Sequence, residues 1–422
     1  MTKRDEVKIL LVEYSFKNFC SFKDETKFSL RATADAIKSS FPDNYFADEQ
    51  DVLKTAVIVG ENAGGKTNFV KSLQYLKNFF KENRKVESAS EYINDDYTED
   101  FSKLTYADTT QKFSLGVLIK GTMYYYDLEI DFLGVKSEKL EVVRSTDNSR
   151  KKILVVTRTE KEPLLSDFVK SPNEFKFANL KYEVRCIPFN KKDMIENEDF
   201  IGLFVSKYAL LGLPEALVFS QWMNDTLMVE SAIYDEPRMK GSYFQNLDDW
   251  RVINDKKFLE ILRIIEPSIE TIKPDQRLPY QETIITRKNS VGKIFNRELR
   301  DDSAGLKDYF AWAVQIYKVI YENKILFADE MDRSLNPILA DKIISLIHGS
   351  DHKGQFIFTT HNVLHLNLEK YMKEQIYFVT KNVETLQSEI YSLAEFTDVD
   401  YNSGVNLYEY YLRGVLGGTL SE

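Results

Sequence analysis

The sequence predicts an α/β fold with a β-rich flank and a mainly helical insertion. Three observations carry that expectation. Residues 55–59 form a short apolar run that leads through a glycine-rich turn into a helix, with Phe69, Leu73, Leu76 and Phe80 at helical spacing. Residues 112–144 are β-rich, with Lys120-Gly121 as a two-residue hairpin signal. Two later apolar runs, 325–328 and 356–360, read as buried strands that end in an acidic pair and a histidine.

The first of these stretches carries the most chemistry. Gly60-Glu61-Asn62-Ala63-Gly64-Gly65-Lys66-Thr67-Asn68 fits the phosphate-binding spacing G-x4-G-K-[ST]. Glycines let backbone N–H groups converge on phosphate oxygens, and the helix that follows adds the positive end of its dipole. Lys66 can reach the β- and γ-phosphates, and the Thr67 hydroxyl can ligate Mg²⁺. The strand–loop–helix setting supports binding of a nucleoside triphosphate.

Composition limits the other possibilities. The 422 residues suffice for two or three domains, and no apolar run reaches the roughly eighteen residues of a membrane span. The first residues carry no signal-peptide core, so a cytoplasmic, membrane-free protein is expected. Cys20 and Cys186 lie far apart without a CxxC partner, against a zinc site or disulfide framework. A net charge of −10 argues against nonspecific nucleic-acid binding by the whole surface, though not by a local patch.

Taken in order, residues 8–32 alternate as two strands around Phe16-Lys17-Asn18-Phe19-Cys20-Ser21-Phe22. The aromatics suit a core; alternatively Lys17, Phe19 or Phe22 flanks the adenine. Residues 85–100 are acidic and polar, as in a surface loop, and a second hairpin turns near Asp147-Asn148 beside Arg150, Lys151 and Lys152. Residues 160–195 are irregular, and about 200–266 reads as helical without sustained heptads. Strand signals return at 270–285. A hairpin turning at Asn289-Ser290-Val291-Gly292 bears Arg287, Lys288, Lys293, Arg297 and Arg300, the best basic patch in the chain. The expected division is 1–160 and 269–422 as two halves of one nucleotide-binding unit, with 161–268 as the insertion.

The later half supplies partners for the P-loop. Asp329 at a strand tip suits the Mg²⁺ shell, and Glu330 is placed to polarise an attacking water. His361 ends the next buried strand, where an imidazole can sense the γ-phosphate. Asp301-Asp302-Ser303-Ala304-Gly305 opens a helix to about residue 321, and Ser303 and Gly305 there form a second anion-suited helix start; alone it is a good N-cap.

The order P-loop, Ser-x-Gly helix start, Asp-Glu strand, Asp332-Arg333-Ser334-Leu335 and strand-His resembles the ABC-type ATPase heads of the SMC and DNA-repair class. Within that class the chain looks most like the OLD-like AAA ATPases of bacterial abortive-infection and anti-phage systems. Asn18-Phe19-x-Ser21-Phe22, Ser334-Leu335-Asn336-Pro337 and Tyr411-Leu412-x-Gly414-x-x-Gly417 carry the rest of the likeness. Departures are Leu306 after the signature glycine, Asn336 after the D-loop leucine and Thr419 near a usual proline; Gln111 is the nearest Q-loop candidate.

The resemblance implies two heads sandwiching ATP, as a homodimer or multiple of dimers. Ser303 of one subunit then faces the γ-phosphate held by Lys66 of the other, with Glu330 as general base and His361 as switch. It also implies a defence subunit that controls a separate effector, a nuclease. Direct action on DNA or RNA is the alternative that the 287–300 hairpin supports. A self-contained nuclease using Glu395 and Asp398-Val399-Asp400 is disfavoured by the roughly 60 residues left after His361. A transporter subunit is disfavoured by the poor signature match at 303–307.

Overall fold

The computed structural model describes residues 9–33, 38–47, 51–80, 110–131, 134–146, 149–158, 164–165, 202–231, 243–331, 337–349, 352–396, 399 and 407–416. Strands β1 (Ile9–Lys17), β2 (Thr26–Ser29), β3 (Tyr45–Phe46), β4 (Val52–Leu53) and β5 (Thr55–Gly60) precede helix α1 (Lys66–Asn78). An antiparallel run follows: β6 (Gln111–Ile119), β7 (Thr122–Asp131), β8 (Gly134–Thr146), β9 (Ser149–Arg158) and β10 (Leu164–Leu165). The Lys120-Gly121 signal is realised as a two-residue turn, with φ of 52° and 75°, between the paired Ile119 and Thr122. Positive φ at both positions is the primed-turn geometry that matches strand twist.

Helices α2 (Phe204–Leu210) and α3 (Pro214–Gln221) then lead to β11 (Leu227–Ser231). The helical reading of 200–266 therefore needs correction. Residues 227–231 form a strand that pairs in parallel with a strand of the nucleotide half, Leu227 opposite Ile325. This run is short, and its parallel partner about a hundred residues away fixes its conformation. Helices α4 (Tyr243–Ile253) and α5 (Lys256–Ile265) do form, and Asp255 caps α5 by accepting from Lys257 N.

Next come β12 (Ile269–Lys273) and the hairpin β13 (Ile284–Lys288) with β14 (Ile294–Glu298), then the 19-residue α6 (Ala304–Glu322). The chain closes with β15 (Ile325–Asp329), α7 (Pro337–Gly349), β16 (Gln355–Thr360), β17 (Ile376–Lys381), β18 (Ser388–Ser392) and α8 (Leu407–Leu412).

Two large sheets organise these elements. One is antiparallel, in the order β10-β9-β8-β7-β6-β1-β2; the other runs β11-β15-β16-β5-β17-β18 and is parallel except at β18. Successive side chains of the second sheet point to opposite faces. Ala56, Ile58, Ile325, Phe327 and Ile357 join a core with α1 and the antiparallel sheet. Val57, Val59, Leu326, Ala328, Phe356 and Phe358 join another with α5, α6 and α7. Burial on both faces explains why β5, β15 and β16 read as continuous apolar runs rather than alternating ones. In the first core Phe16, Phe22, Phe28 and Phe69 meet at ring separations of 5.2 to 6.0 Å. Full burial of each such ring contributes roughly 1.5–3 kcal/mol. This is an α/β architecture with a P-loop between β5 and α1, and it brings the carboxyl ends of β5, β15 and β16 to one edge of the parallel sheet.

Candidate active site

The loop between β5 and α1 is built by close backbone approach. A Cβ on Gly60 would lie 2.3 Å from Val379 O on the neighbouring strand, so only glycine fits there. Gly65 has φ 122°, and a Cβ on it would meet Ser388 Oγ at 2.5 Å. Ala63 also adopts positive φ, 60°, a conformation that costs a non-glycine residue on the order of 1 kcal/mol and concentrates at functional sites. Asn62 and Ala63 are exposed at the crest, whereas Gly64, Gly65 and Lys66 are buried. The result is a cradle whose size excludes side chains, closed by the α1 N-terminus, and it suits a triphosphate.

Asp329 and Thr67 come together from 262 positions apart: Thr67 Oγ1 donates to Asp329 Oδ2 at 2.8 Å. The second carboxylate oxygen accepts from Thr359 Oγ1 at 2.6 Å. A hydroxyl and a carboxylate side by side are the hard oxygen donors that Mg²⁺ takes, so these residues fit the ion. Glu330 follows at φ 50°, its N–H donating to Thr359 Oγ1 at 2.9 Å. Lys66 Nζ lies 2.8 Å from both Gly60 O and Glu61 O and 3.2 Å from His361 Nδ1. The ammonium only donates, so Nδ1 accepts, and the His361 Nε2–H donates to Glu330 Oε1 at 3.2 Å. A continuous chain thus runs from the P-loop cation through the imidazole to the glutamate.

Burial pulls the Lys66 ammonium down from its ordinary 10.5 to about 8, against the opposing pull of Glu330, Asp329 and Glu61. A bound triphosphate favours the charged form and raises that value again. Between pH 8 and 9, ATP binding is therefore expected to take up as much as one proton, and affinity to fall as pH rises through about 8. Calorimetry in two buffers of different ionisation enthalpy reads this directly; equal heats in both at pH 8.5 would contradict it.

Three residues here carry roles that the sequence did not reveal. Thr359 fixes both acids, as described. Ser21 and Ser388 tie the loop to the turn between β1 and β2 and to the start of β18: Asn68 Nδ2 donates to Ser21 Oγ at 2.9 Å, the two serine hydroxyls meet at 2.7 Å, and Ser388 Oγ donates to Gly64 O at 2.6 Å. This chain of bonds anchors the Gly64 carbonyl. Serines are too common to flag singly, and only the long-range fold pairs these two. Ser388→Ala leaves that carbonyl without its buried donor, at a cost of about 1–3 kcal/mol. The expected outcome is a lower Tm and roughly tenfold weaker ATP binding in a nucleotide titration, with Ser388→Thr closer to wild type.

The other sequence candidates fall elsewhere. Ser303 starts α6 at the exposed surface, its Oγ accepting from Leu306 N at 3.3 Å, and Gly305 lies in the first turn. Within one chain these two sit apart from the Lys66 chain of bonds. Phe19 and Phe22 are fully buried in the aromatic core, which removes them as adenine platforms. Gln111 is also fully buried and donates to Asn18 O, a structural bond rather than a Q-loop contact.

Most of the basic patch is engaged in ion pairs. Arg287 bonds Glu266 and Asp302, Lys288 is 3.7 Å from Glu270, and Arg300 meets Glu298 and Glu282. Glu395 Oε1 caps a short turn by accepting from Ser392 N. Residues 332–336, with Asp398 and Asp400, lie outside the described residues, as do the 85–100 loop, 147–148 and Gly417. Among the described residues there is no group of three metal-ligating side chains, and no helix long and apolar enough to cross a membrane.

Fold and site together define an α/β chain whose P-loop, Thr67–Asp329 pair and Lys66–His361–Glu330 bonds suit a nucleoside triphosphate. Residues 223–367 match the family described as "AAA domain, putative AbiEii toxin, Type IV TA system". That stretch includes Ser303, Asp329, Glu330 and His361 and leaves out the P-loop. Similar solved structures include the SMC head domain from Thermotoga maritima, at 18% identity and TM-score 0.34, covering 90% of this chain and 98% of that one. An SmcHead bound to the C-terminal winged-helix domain of ScpA is 12% identical, with TM-score 0.40 and coverage of 90% and 97%. An Smc head with an extended coiled coil, bound to the C-terminal domain of ScpA derived from Pyrococcus furiosus, is 13% identical, with TM-score 0.41 and coverage of 91% and 96%. No curated protein matches the chain.

Proposed function

We propose that this chain binds and hydrolyses ATP in the bacterial cytoplasm as a head that closes on a second copy of itself, and that closure controls a separate effector protein, a nuclease, in anti-phage abortive infection. The observation that carries the enzymatic part is the bonded set Lys66–His361–Glu330 beside Thr67–Asp329. Lys66 and the loop amides hold the phosphates, Glu330 takes the proton of the attacking water, and His361 keeps the cation and the base in register. Thr67 and Asp329 would hold Mg²⁺, whose charge would offset that of the triphosphate when bound. Ser303 and Gly305 of the second copy complete the pocket from the far side.

The defence assignment rests on the OLD-like order of motifs and on the family description matched by 223–367. Direct action on DNA finds less support, because Arg287, Lys288 and Arg300 already face carboxylates. Tagged purification from the native locus tests the reading. A stoichiometric nuclease or other toxin-like chain is expected. Recovery of this chain alone, or with DNA that is lost at high salt, would move the assignment to an ATPase acting on nucleic acid.

A further inference from the structure

Arg287 occupies the strand before the turn of the β13–β14 hairpin, outside the chain of bonds around Lys66. Its Nε donates to Glu266 Oε1 at 2.6 Å and its Nη2 to Glu266 Oε2 at 3.0 Å, while the same Nη2 reaches Asp302 Oδ2 at 2.7 Å. The other oxygen of Asp302 accepts from the backbone N–H of Ser303 at 3.0 Å. Glu266 caps the end of α5, and its Oε1 also accepts from Ser268 Oγ at 2.9 Å. Three elements, α5, β13 and the start of α6, therefore meet on one guanidinium. The Arg287 side chain is 17% exposed and that of Asp302 is 7%.

A half-buried ion cluster of this kind is weak evidence of stabilisation, since desolvation offsets much of the attraction. What it does supply is geometry. The planar fork of arginine holds two carboxylates at fixed angles, which a lysine ammonium does not reproduce. Ser303 is bonded into α6, its Oγ accepting from Leu306 N and its carbonyl from Lys307 N, and the Asp302–Arg287 pair ties this helix start to β13 and α5. Asp302 is extended, at φ −84° and ψ 173°, and Ser303 is itself the non-helical cap of α6 at φ −61° and ψ 150°. Arg287 therefore fixes the side chain of Asp302, and through it the Ser303 N–H, relative to α5 and β13.

We infer that Arg287, acting through Asp302, is a positioning residue for ATP hydrolysis: it sets the place of Ser303, which completes the pocket of the neighbouring head. The inference rests on the composite site proposed above. It also gives the hairpin a mechanical role, because a shift of β13 moves Ser303 through two bonds.

The test is a double-mutant cycle in the full-length chain, with kcat, KM, ATP affinity and Tm measured for each variant. Arg287→Ala is expected to lower kcat about tenfold to a hundredfold, the scale of a small misplacement of a reacting group. ATP affinity, set by the P-loop of the same chain, stays within about twofold. Asp302→Asn keeps a single acceptor oxygen and so breaks the link between Arg287 and Ser303 N on one side or the other, and it should lower kcat as Arg287→Ala does without truncating a side chain. In a Ser303→Ala background neither change lowers kcat further, and Arg287→Lys does not restore wild-type turnover. Losses that multiply between Arg287→Ala and Ser303→Ala would overturn the inference, as would equal losses in ATP affinity and kcat. If Ser303→Ala alone leaves turnover unchanged, the composite site itself fails, a separate result.

Discussion

Lys66→Ala is expected to weaken ATP binding by roughly 10² to 10³-fold and to remove measurable hydrolysis, because the substitution deletes the buried cation that meets the phosphates. Lys66 is 4% exposed and its ammonium lies against Gly60 O, Glu61 O and His361 Nδ1. The variant therefore also releases His361, and with it one of the bonds on Glu330. Equilibrium titration with a fluorescent ATP analogue, alongside thermal unfolding to confirm a folded chain, separates lost binding from lost structure. Affinity within threefold of wild type in a folded Lys66→Ala protein would remove the P-loop reading.

The second large effect is expected at Glu330. Glu330→Gln keeps size and hydrogen-bonding capacity but cannot accept the proton of the attacking water, so kcat should fall by about 10² to 10⁴-fold, the usual contribution of a general base. Binding should survive, since Lys66, Thr67 and Asp329 keep their bonds. The backbone N–H of residue 330 still donates to Thr359 Oγ1, so the left-handed turn at φ 50° holds its place. Pre-steady-state measurement of a single turnover reads the chemical step apart from product release. A chemical step within a few-fold of wild type would assign the base to another residue.

Sequence reading reached the parts of this site that are written locally. The P-loop is legible because glycines, lysine and threonine must follow one another at fixed spacing to make a cradle. Asp329, Glu330 and His361 were nameable because each stands at the end of a fully buried strand, whose continuous apolar run is plain in the sequence. The residues that were missed act at long range. Ser388 lies 324 positions from the Gly64 carbonyl it supports, and Thr359 lies 30 from Asp329. No local pattern distinguishes such a hydroxyl from the chain's other serines and threonines.

The errors have the same origin. Leu227–Ser231 is a strand because β15 lies beside it, not because of its own propensity. The basic hairpin looked like an anion surface because opposite charges at Glu266, Glu270, Glu282 and Asp302 are brought to it only by the fold. Phe19 and Phe22 were candidates for adenine until their burial among Phe16, Tyr75 and Phe113 placed them in the core.

The central claim, that ATP closes two heads on each other through Ser303, is tested most directly by the mass in solution of Glu330→Gln protein with and without ATP and Mg²⁺, measured by sedimentation. Saturating ATP is expected to double the assembled mass, and Ser303→Arg placed in the same variant is expected to abolish that doubling while ATP still binds each chain. An unchanged mass at saturating ATP, or a doubling that Ser303→Arg leaves intact, would contradict closure through this surface.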